Sequence, residues 1–272
     1  MNTILVDKDL CNHCGICSVV CTMSIIDPAD ENTLPKVQDE KADMCIRCGH
    51  CEVYCPSQAL TLNFLPEEKS KISPDAGAIA PEDIEVYLKK RRSVRHFTRD
   101  PVPKEKILEI LDIARYAASG GNRQAVQWLV VCDPTKVREI AGLTIDWMKT
   151  LLSSNHPMRG YLPMLIAAWD EGHDVICHDA PHLIIPHIPK DNQLEQINAI
   201  IALTHFDIAA PAFGIGTCWA GFVAGASREY PPLKELLNLP KERIAAYAMM
   251  FGYPQYKVYG IPRRNPLQVM WL

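Results

Sequence analysis

The chain has 272 residues, of which 48% are hydrophobic and 22% charged, and its formal net charge is -4. That length suits one large domain or two smaller ones. The acidic balance argues against a nucleic-acid binder working by bulk electrostatics. Residues 1–10 contain acidic side chains and no long apolar run, so no secretory signal is expected. The most apolar stretch, near 197–222, is interrupted by Asn198, His205, Asp207 and Pro211 and is too broken for a membrane span. The expectation is a cytoplasmic protein with reduced thiols, no membrane contact and no nucleic-acid partner.

Eight of the eleven cysteines form two copies of one pattern. Cys11, Cys14, Cys17 and Cys21 are separated by two, two and three residues; Cys45, Cys48, Cys51 and Cys55 repeat that spacing, followed by Pro56. Such a run predicts thiolate ligation of iron–sulfur cubanes, with the fourth cysteine of each run serving the other cluster. The predicted sets are Cys11, Cys14, Cys17 and Cys55, and Cys45, Cys48, Cys51 and Cys21. Structural zinc is the alternative, although zinc usually takes two separated ligand pairs. Gly15 and Gly49 would let each loop turn tightly.

Residues 5–62 resemble bacterial two-[4Fe–4S] ferredoxins, and Cys55-Pro56-Ser57-Gln58-Ala59-Leu60 also matches that family. Thr22 departs from it, because proline commonly follows the fourth cysteine. His13 and His50 are read as surface residues. Residues 1–62 carry nine acidic and four basic side chains, a difference of -5 that would suit a basic redox partner or simple solubility.

Residues 63–81, with Pro66, Pro74, Gly77 and Pro81, read as a linker. Next, 103–118 predicts an amphipathic helix with Ile107, Leu108, Leu111, Ala114 and Ala118 on one face. Residues 128–132 predict a buried strand, and Asp133-Pro134 a cap and first turn for another helix. Residues 183–188 form a weaker strand candidate, interrupted by Pro186. A helix is expected over 195–213, kinked at Pro211, and a buried strand over 244–251. Interleaved helices and strands indicate an α/β or α+β layered domain.

Three polar segments accompany these elements. Arg91-Arg92-Ser93-Val94-Arg95-His96-Phe97 would, if extended, point Arg91, Ser93 and Arg95 one way, as a phosphate grip or as a solvated charge run. Ser119-Gly120-Gly121-Asn122-Arg123-Gln124 offers an amide pair, a hydroxyl and backbone donors, or is an ordinary loop. Gly214-Ile215-Gly216-Thr217-Cys218-Trp219 permits close approach of a planar ring. It lacks the third glycine of a dinucleotide fingerprint.

Together with Pro101-Val102-Pro103, Gly252-Tyr253-Pro254 and Pro262-Arg263-Arg264-Asn265-Pro266-Leu267, these segments make residues 88–272 resemble the nitroreductase family of FMN flavoproteins. The resemblance implies that Arg91, Ser93 and Arg95, with Arg92 beside them, grip the FMN phosphate and ribityl chain. Arg264 and Arg263 would close over the phosphate. Asn122 and Gln124, with Ser119, would address the ring or ribityl hydroxyls, and the backbone of Gly214, Ile215, Gly216 and Thr217 would flank the ring. It implies a homodimer with FMN at the interface. Ala125-Val126 stands where the family often has Pro-Trp, so one pocket wall is expected to differ.

The expected architecture is α+β: a two-cluster ferredoxin module (1–62), the linker (63–81), and a nitroreductase-like α/β flavin domain (82–272) whose central, mostly antiparallel sheet is surrounded by helices. The expected function is electron flow from a low-potential donor, an external ferredoxin or NAD(P)H, through two [4Fe–4S] clusters to FMN. Reduced FMN would then act on a nitroaromatic or related small organic acceptor. The alternatives are an NAD(P)H-fed flavin reductase passing electrons to the clusters, and a non-enzymatic electron-transfer adaptor.

Overall fold

A computed structural model describes residues 4–30, 32–62, 72–192 and 194–272. Residues 63–71 of the expected linker lie outside the described residues. The chain divides into two compact units: Met1–Ala78 with Gly121–Arg123, and Ile79–Gly120 with Gln124–Leu272.

The first unit is built from two related halves. Strand β1 (Ile4–Val6) pairs antiparallel with β4 (Leu60–Leu62), and β2 (Ile26–Asp27) with β3 (Lys36–Val37). Single helical turns α1 (Ile16–Val19) and α2 (His50–Val53) follow Gly15 and Gly49, whose φ values of 72° and 80° are the left-handed conformation that favours glycine. Left-handed residues recur at one offset: His13 and Arg47, Ser24 and Gln58, like Gly15 and Gly49, are each 34 positions apart. The cysteine repeat is thus also a repeat of backbone conformation. Ile4, Ile25, Ile26, Val37, Leu60 and Leu62 bury one small apolar core, together with Cys17 and Cys51.

The second unit is a mixed α/β structure whose central antiparallel sheet is flanked by helices. Its strands are β5 (Gln127–Val131), β6 (His182–Pro189), β7 (Gly216–Trp219), β8 (Arg243–Ala245) and β9 (Met249–Gly252). The order is β5-β6-β9-β7, with β8 also on β6, and every pairing between named strands is antiparallel. Successive side chains of the sheet serve opposite cores, as the two-residue strand period requires. Leu183, Ile185 and Met250 join one core, whereas Ile184, Met249 and Phe251 join the other.

The first core is closed by α5 (Pro134–Leu151), α6 (Leu162–Asp170), α8 (Gly221–Glu229) and α9 (Pro231–Leu237); the second by α4 (Lys104–Ala114) and α7 (Leu194–Ala209). Helix α3 (Pro81–Lys90) is tied to α7 by Tyr87 Oη, which donates to the Ile208 carbonyl at 2.6 Å. Among the described residues, no helix is long and apolar enough to cross a membrane.

Several expected elements shift. Helix α4 ends at Ala114 rather than Ala118, because Tyr116 and Ala117 donate to carbonyls three residues back and close a tight last turn. It buries Ile107, Ile110 and Ala114, while Leu108 is exposed. Asp133 caps α5 as expected, its Oδ1 accepting from Thr135 N at 2.8 Å. Helix α7 stops at Ala209, and Pro211 opens a separate 3₁₀ turn, Ala210–Phe213, ending on left-handed Gly214.

The strand expected over 244–251 is two strands. Between their pairings β6 has two residues, 185 and 186, where the facing chain has three, 246–248. This bulge lets Pro186 sit in the central strand, with Ala246 N donating to its carbonyl at 2.8 Å. Beside it, Arg243 Nε donates to His187 Nδ1 at 2.7 Å, and Arg243 Nη2 donates to the carbonyls of His187 and Ala125 at 2.7 and 2.6 Å.

Close helix packing predicts one sensitive position. A Cβ on Gly225 would lie 2.7 Å from the Trp147 ring, between α8 and α5. Gly225→Val is expected to cost about 2 kcal/mol in urea unfolding through overpacking. An unchanged midpoint would show that the ring yields.

A second prediction concerns acid. Burial, and then the Arg243 charge, push His187 down to about 4, and burial lowers His182, whose Nε2 accepts from Val102 N at 2.8 Å. Both depressed values mean that the folded state binds fewer protons than the unfolded chain. The stabilisation from His187 is therefore present above about 6.5 and is lost as pH falls towards about 4, and that from His182 is lost in the same direction. For His187 the full loss is roughly 3 kcal/mol. Urea midpoints at pH 7.5 and 4.5 should fall further in the wild type than in His187→Asn, whose amide oxygen can still accept from Arg243; equal losses would remove His187 as the cause.

Candidate functional site

Immediately after α3 the chain leaves the helix and runs beside β7. Ser93 forms a parallel bridge with Thr217, and Val94 N donates to the Thr217 carbonyl at 2.8 Å. Further along, Gln255 N donates to the His96 carbonyl at 2.9 Å, and Thr98 N donates to the Tyr253 carbonyl at 2.8 Å. Three segments singled out in the sequence, 91–97, 214–219 and 252–254, are thereby drawn together. Gly216 makes the approach possible: a Cβ there would lie 2.6 Å from Val94 Cγ2 and 2.9 Å from Pro254. Ile215 points into the core and leaves only its backbone for a ligand.

The arginines gather as well. The Arg92 guanidinium is held below the usual arginine range, first by desolvation and then by the positive charges of Arg264 and Arg91. Cys218 is buried; burial raises its thiol, against lowering by Arg95, Ser93 and Arg91. Arg264 Nη1 donates to the Arg263 carbonyl at 3.2 Å, and both residues are exposed.

One carboxylate enters this cationic group. Asp207, on α7, is buried; its Oδ1 accepts from the Thr217 hydroxyl and its Oδ2 from Trp219 Nε1 at 3.1 Å. Arg91 Nη1 stands 3.6 Å from Asp207 Oδ2, too far for a hydrogen bond, and is a buried nitrogen without a hydrogen-bond partner. A buried guanidinium nitrogen left short of an acceptor, among clustered cations, is suited to an anion. The residues present thus fit the phosphate end of FMN.

The loop after α4 is held at both shoulders. Gly120 N donates to Asn198 Oδ1 at 3.1 Å, Asn198 Nδ2 donates to the buried Glu195 carboxylate at 2.8 Å, and Arg243 holds the Ala125 carbonyl. Gln124 N donates to Ser119 Oγ at 3.0 Å. Gly121, Asn122 and Gln124 all have positive φ. Residues 121–123 group with the first unit, where Asn122 Nδ2 donates to the Ile46 and Arg47 carbonyls at 3.1 and 2.8 Å.

Asp207, Asn198, Glu195, His187 and Arg243 were not among the expected site residues. Asp207 had a visible signal: a carboxylate in the apolar second half of a helix must be paired if it is buried. Glu195 and Asn198 pair three residues apart on the same helix, whereas the partners of His187 and Arg243 are far away in sequence.

The cysteine sites require a correction. Cys11, Cys14, Cys17 and Cys55 line one small cavity of the first unit, and Cys21, Cys45, Cys48 and Cys51 another. Among the described residues, however, no group of three or more His, Cys, Asp or Glu side chains could hold a metal ion. Cys17 and Cys51 pack into the apolar core, and burial raises both thiols, Cys51 to about 12. The expectation of a two-cluster ferredoxin module is overturned by the absence of any such metal-holding group among the described residues. With it fall the two [4Fe–4S] cofactors, the relay through them to FMN, and the reverse flow from NAD(P)H into clusters.

Comparison with known proteins places the remaining features. A model described as a 4Fe–4S dicluster domain matches residues 10–60. The nitroreductase family model matches residues 88–253. The chain is 27% identical over 180 residues to the NAD(P)H FMN reductase of Bacillus subtilis, covering 65% of this chain and 68% of that protein. It is 24% identical over 213 residues to an NADH dehydrogenase of Thermus thermophilus, covering 70% and 96%. A nitroreductase with bound FMN from Desulfitobacterium hafniense shares the fold, with a TM-score of 0.57, 18% identity and coverage of 71% of this chain and all of that one. The enzyme class also replaces the reading of a non-enzymatic adaptor. The chain belongs to the nitroreductase family and is an FMN-dependent oxidoreductase of that type.

Proposed function

We propose that the second unit binds FMN at the Arg91–Arg95 segment and uses it to reduce a nitroaromatic or related small organic acceptor, with NAD(P)H as donor. The observation that carries this reading is the Arg91 guanidinium, ion-paired on its buried side with Asp207 and 31% exposed overall, beside Arg92, which also feels the charge of Arg264. The family membership and the donor named for the Bacillus subtilis relative support it.

Bound FMN supplies the two-electron carrier; the protein supplies binding, orientation and electrostatics. Arg91, Ser93, Arg95 and Arg264 would hold the phosphate and ribityl end, with Arg92 and Arg263 adding positive charge. Ser119 and Gln124 would serve the polar edge of the ring, and the backbone of Gly214–Thr217 its flank. Trp219, pinned through its indole N–H, has an edge-to-face contact with Tyr247 at 5.1 Å that holds its plane.

We also propose a homodimer. Helix α7 leaves Leu194 and Ile197 62% and 58% exposed, and the segment 255–272 exposes Leu267, Met270 and Trp271. Apolar surface of this kind is suited to burial against a second copy.

Two measurements test these readings. Arg91→Ala should weaken FMN binding about tenfold to a hundredfold, through loss of a charge-assisted hydrogen bond, while riboflavin binding stays nearly constant. Equal loss for both flavins, or none for FMN, would remove Arg91 from the phosphate site. In sedimentation, Ile197→Asp should convert the dimer into monomer; a wild-type monomer, or an intact variant dimer, would exclude this α7 interface.

A further inference from the structure

We infer that Asp207 is a positioning residue for the cofactor site, holding Arg91 in the geometry that meets the phosphate. This rests on the flavin reading above. Arg91 lies beside the like charge of Arg92, which feels Arg264 as well, and on electrostatics alone a flexible guanidinium there would turn out into solvent. Asp207 supplies the opposing pull. Its Oδ2 is 3.6 Å from Arg91 Nη1, on the inner side of a side chain that remains 31% exposed. A guanidinium carries five N–H donors in a fixed fork, so a carboxylate facing one edge leaves the other donors available to a phosphate.

The same carboxylate also fixes the backbone that carries Arg91. Its Oδ1 takes the Thr217 hydroxyl, and the Thr217 backbone in turn bridges Ser93 and accepts from Val94 N. Asp207 therefore holds the segment twice, through the side chain of Arg91 and through the strand beside Ser93 and Val94. Trp219 Nε1 donates to Oδ2, so both oxygens are held and the carboxylate is kept from turning away. A buried carboxylate with this set of donors has a defined orientation, which a solvated acidic residue lacks.

A double-mutant cycle on the full-length protein tests the inference, with FMN and riboflavin as probes in fluorescence titrations. Asp207→Asn should weaken FMN binding about tenfold in the Arg91 background and no more than about twofold in Arg91→Ala, with no coupling for riboflavin. The same loss in both backgrounds would make Asp207 merely structural. Tighter FMN binding in Asp207→Asn would mean that the carboxylate only repels the phosphate. Either result overturns the inference. If Asp207→Asn does not fold, Arg91→Lys decides: a compact ammonium cannot span both carboxylate and phosphate, so its FMN affinity should fall as far as that of Arg91→Ala. Restored affinity would show that charge alone suffices. Wild-type protein that binds neither flavin would instead overturn the flavin reading, and this inference with it.

Discussion

The site depends on one backbone contact, the bond from Val94 N to the Thr217 carbonyl. It turns an arginine-rich segment leaving a helix into an extra edge beside β7. Once that edge is laid down, Ser93 sits opposite Thr217 and the arginines on either side of it are carried to the end of the sheet at β7. Gly216 is what permits the contact, since any side chain there would collide with Val94 and Pro254. Glycine at 216 thus serves strand-to-strand approach.

Buried charge is used sparingly and always in company. Asp207 is shared among a hydroxyl, an indole N–H and a guanidinium. Arg243 is shared among a histidine ring and two carbonyls, with the Glu195 charge offsetting part of the cost of its burial. Each group links elements far apart in sequence, α7 with β7 in the first case and β8 with β6 and the 119–126 loop in the second. Removing one member would leave the others desolvated without compensation, which is why such groups define geometry more than they add net stability.

The first unit shows what a spacing pattern can and cannot carry. The two cysteine runs were legible as a duplication, and the duplication is real in the backbone, down to left-handed residues at the same offset. Each expected foursome of cysteines also lines one cavity. Ligation is a further condition, because it depends on where the sulfur atoms converge, and among the described residues no group of three or more His, Cys, Asp or Glu side chains could hold a metal ion. Spacing along the chain does not specify that convergence.

By itself the sequence marked the helices with local caps and stripes, the apolar runs that became strands, and the polar segments whose order resembles the family. These features are local: an Asp133 cap needs only Thr135, and a strand announces itself by its own β-branched run. Tertiary structure decided what depends on distant partners. Pro186 could stand in the central strand only because the facing chain bulges by one residue. The strand after Arg243 broke in two for the same reason. Asp207, read in sequence as a mere interruption of an apolar stretch, became the carboxylate at the centre of the site because β7 brings Thr217 and Trp219 to α7 and the extended segment brings Arg91. A buried charge is defined by what folds around it, and no spacing within one helix encodes that.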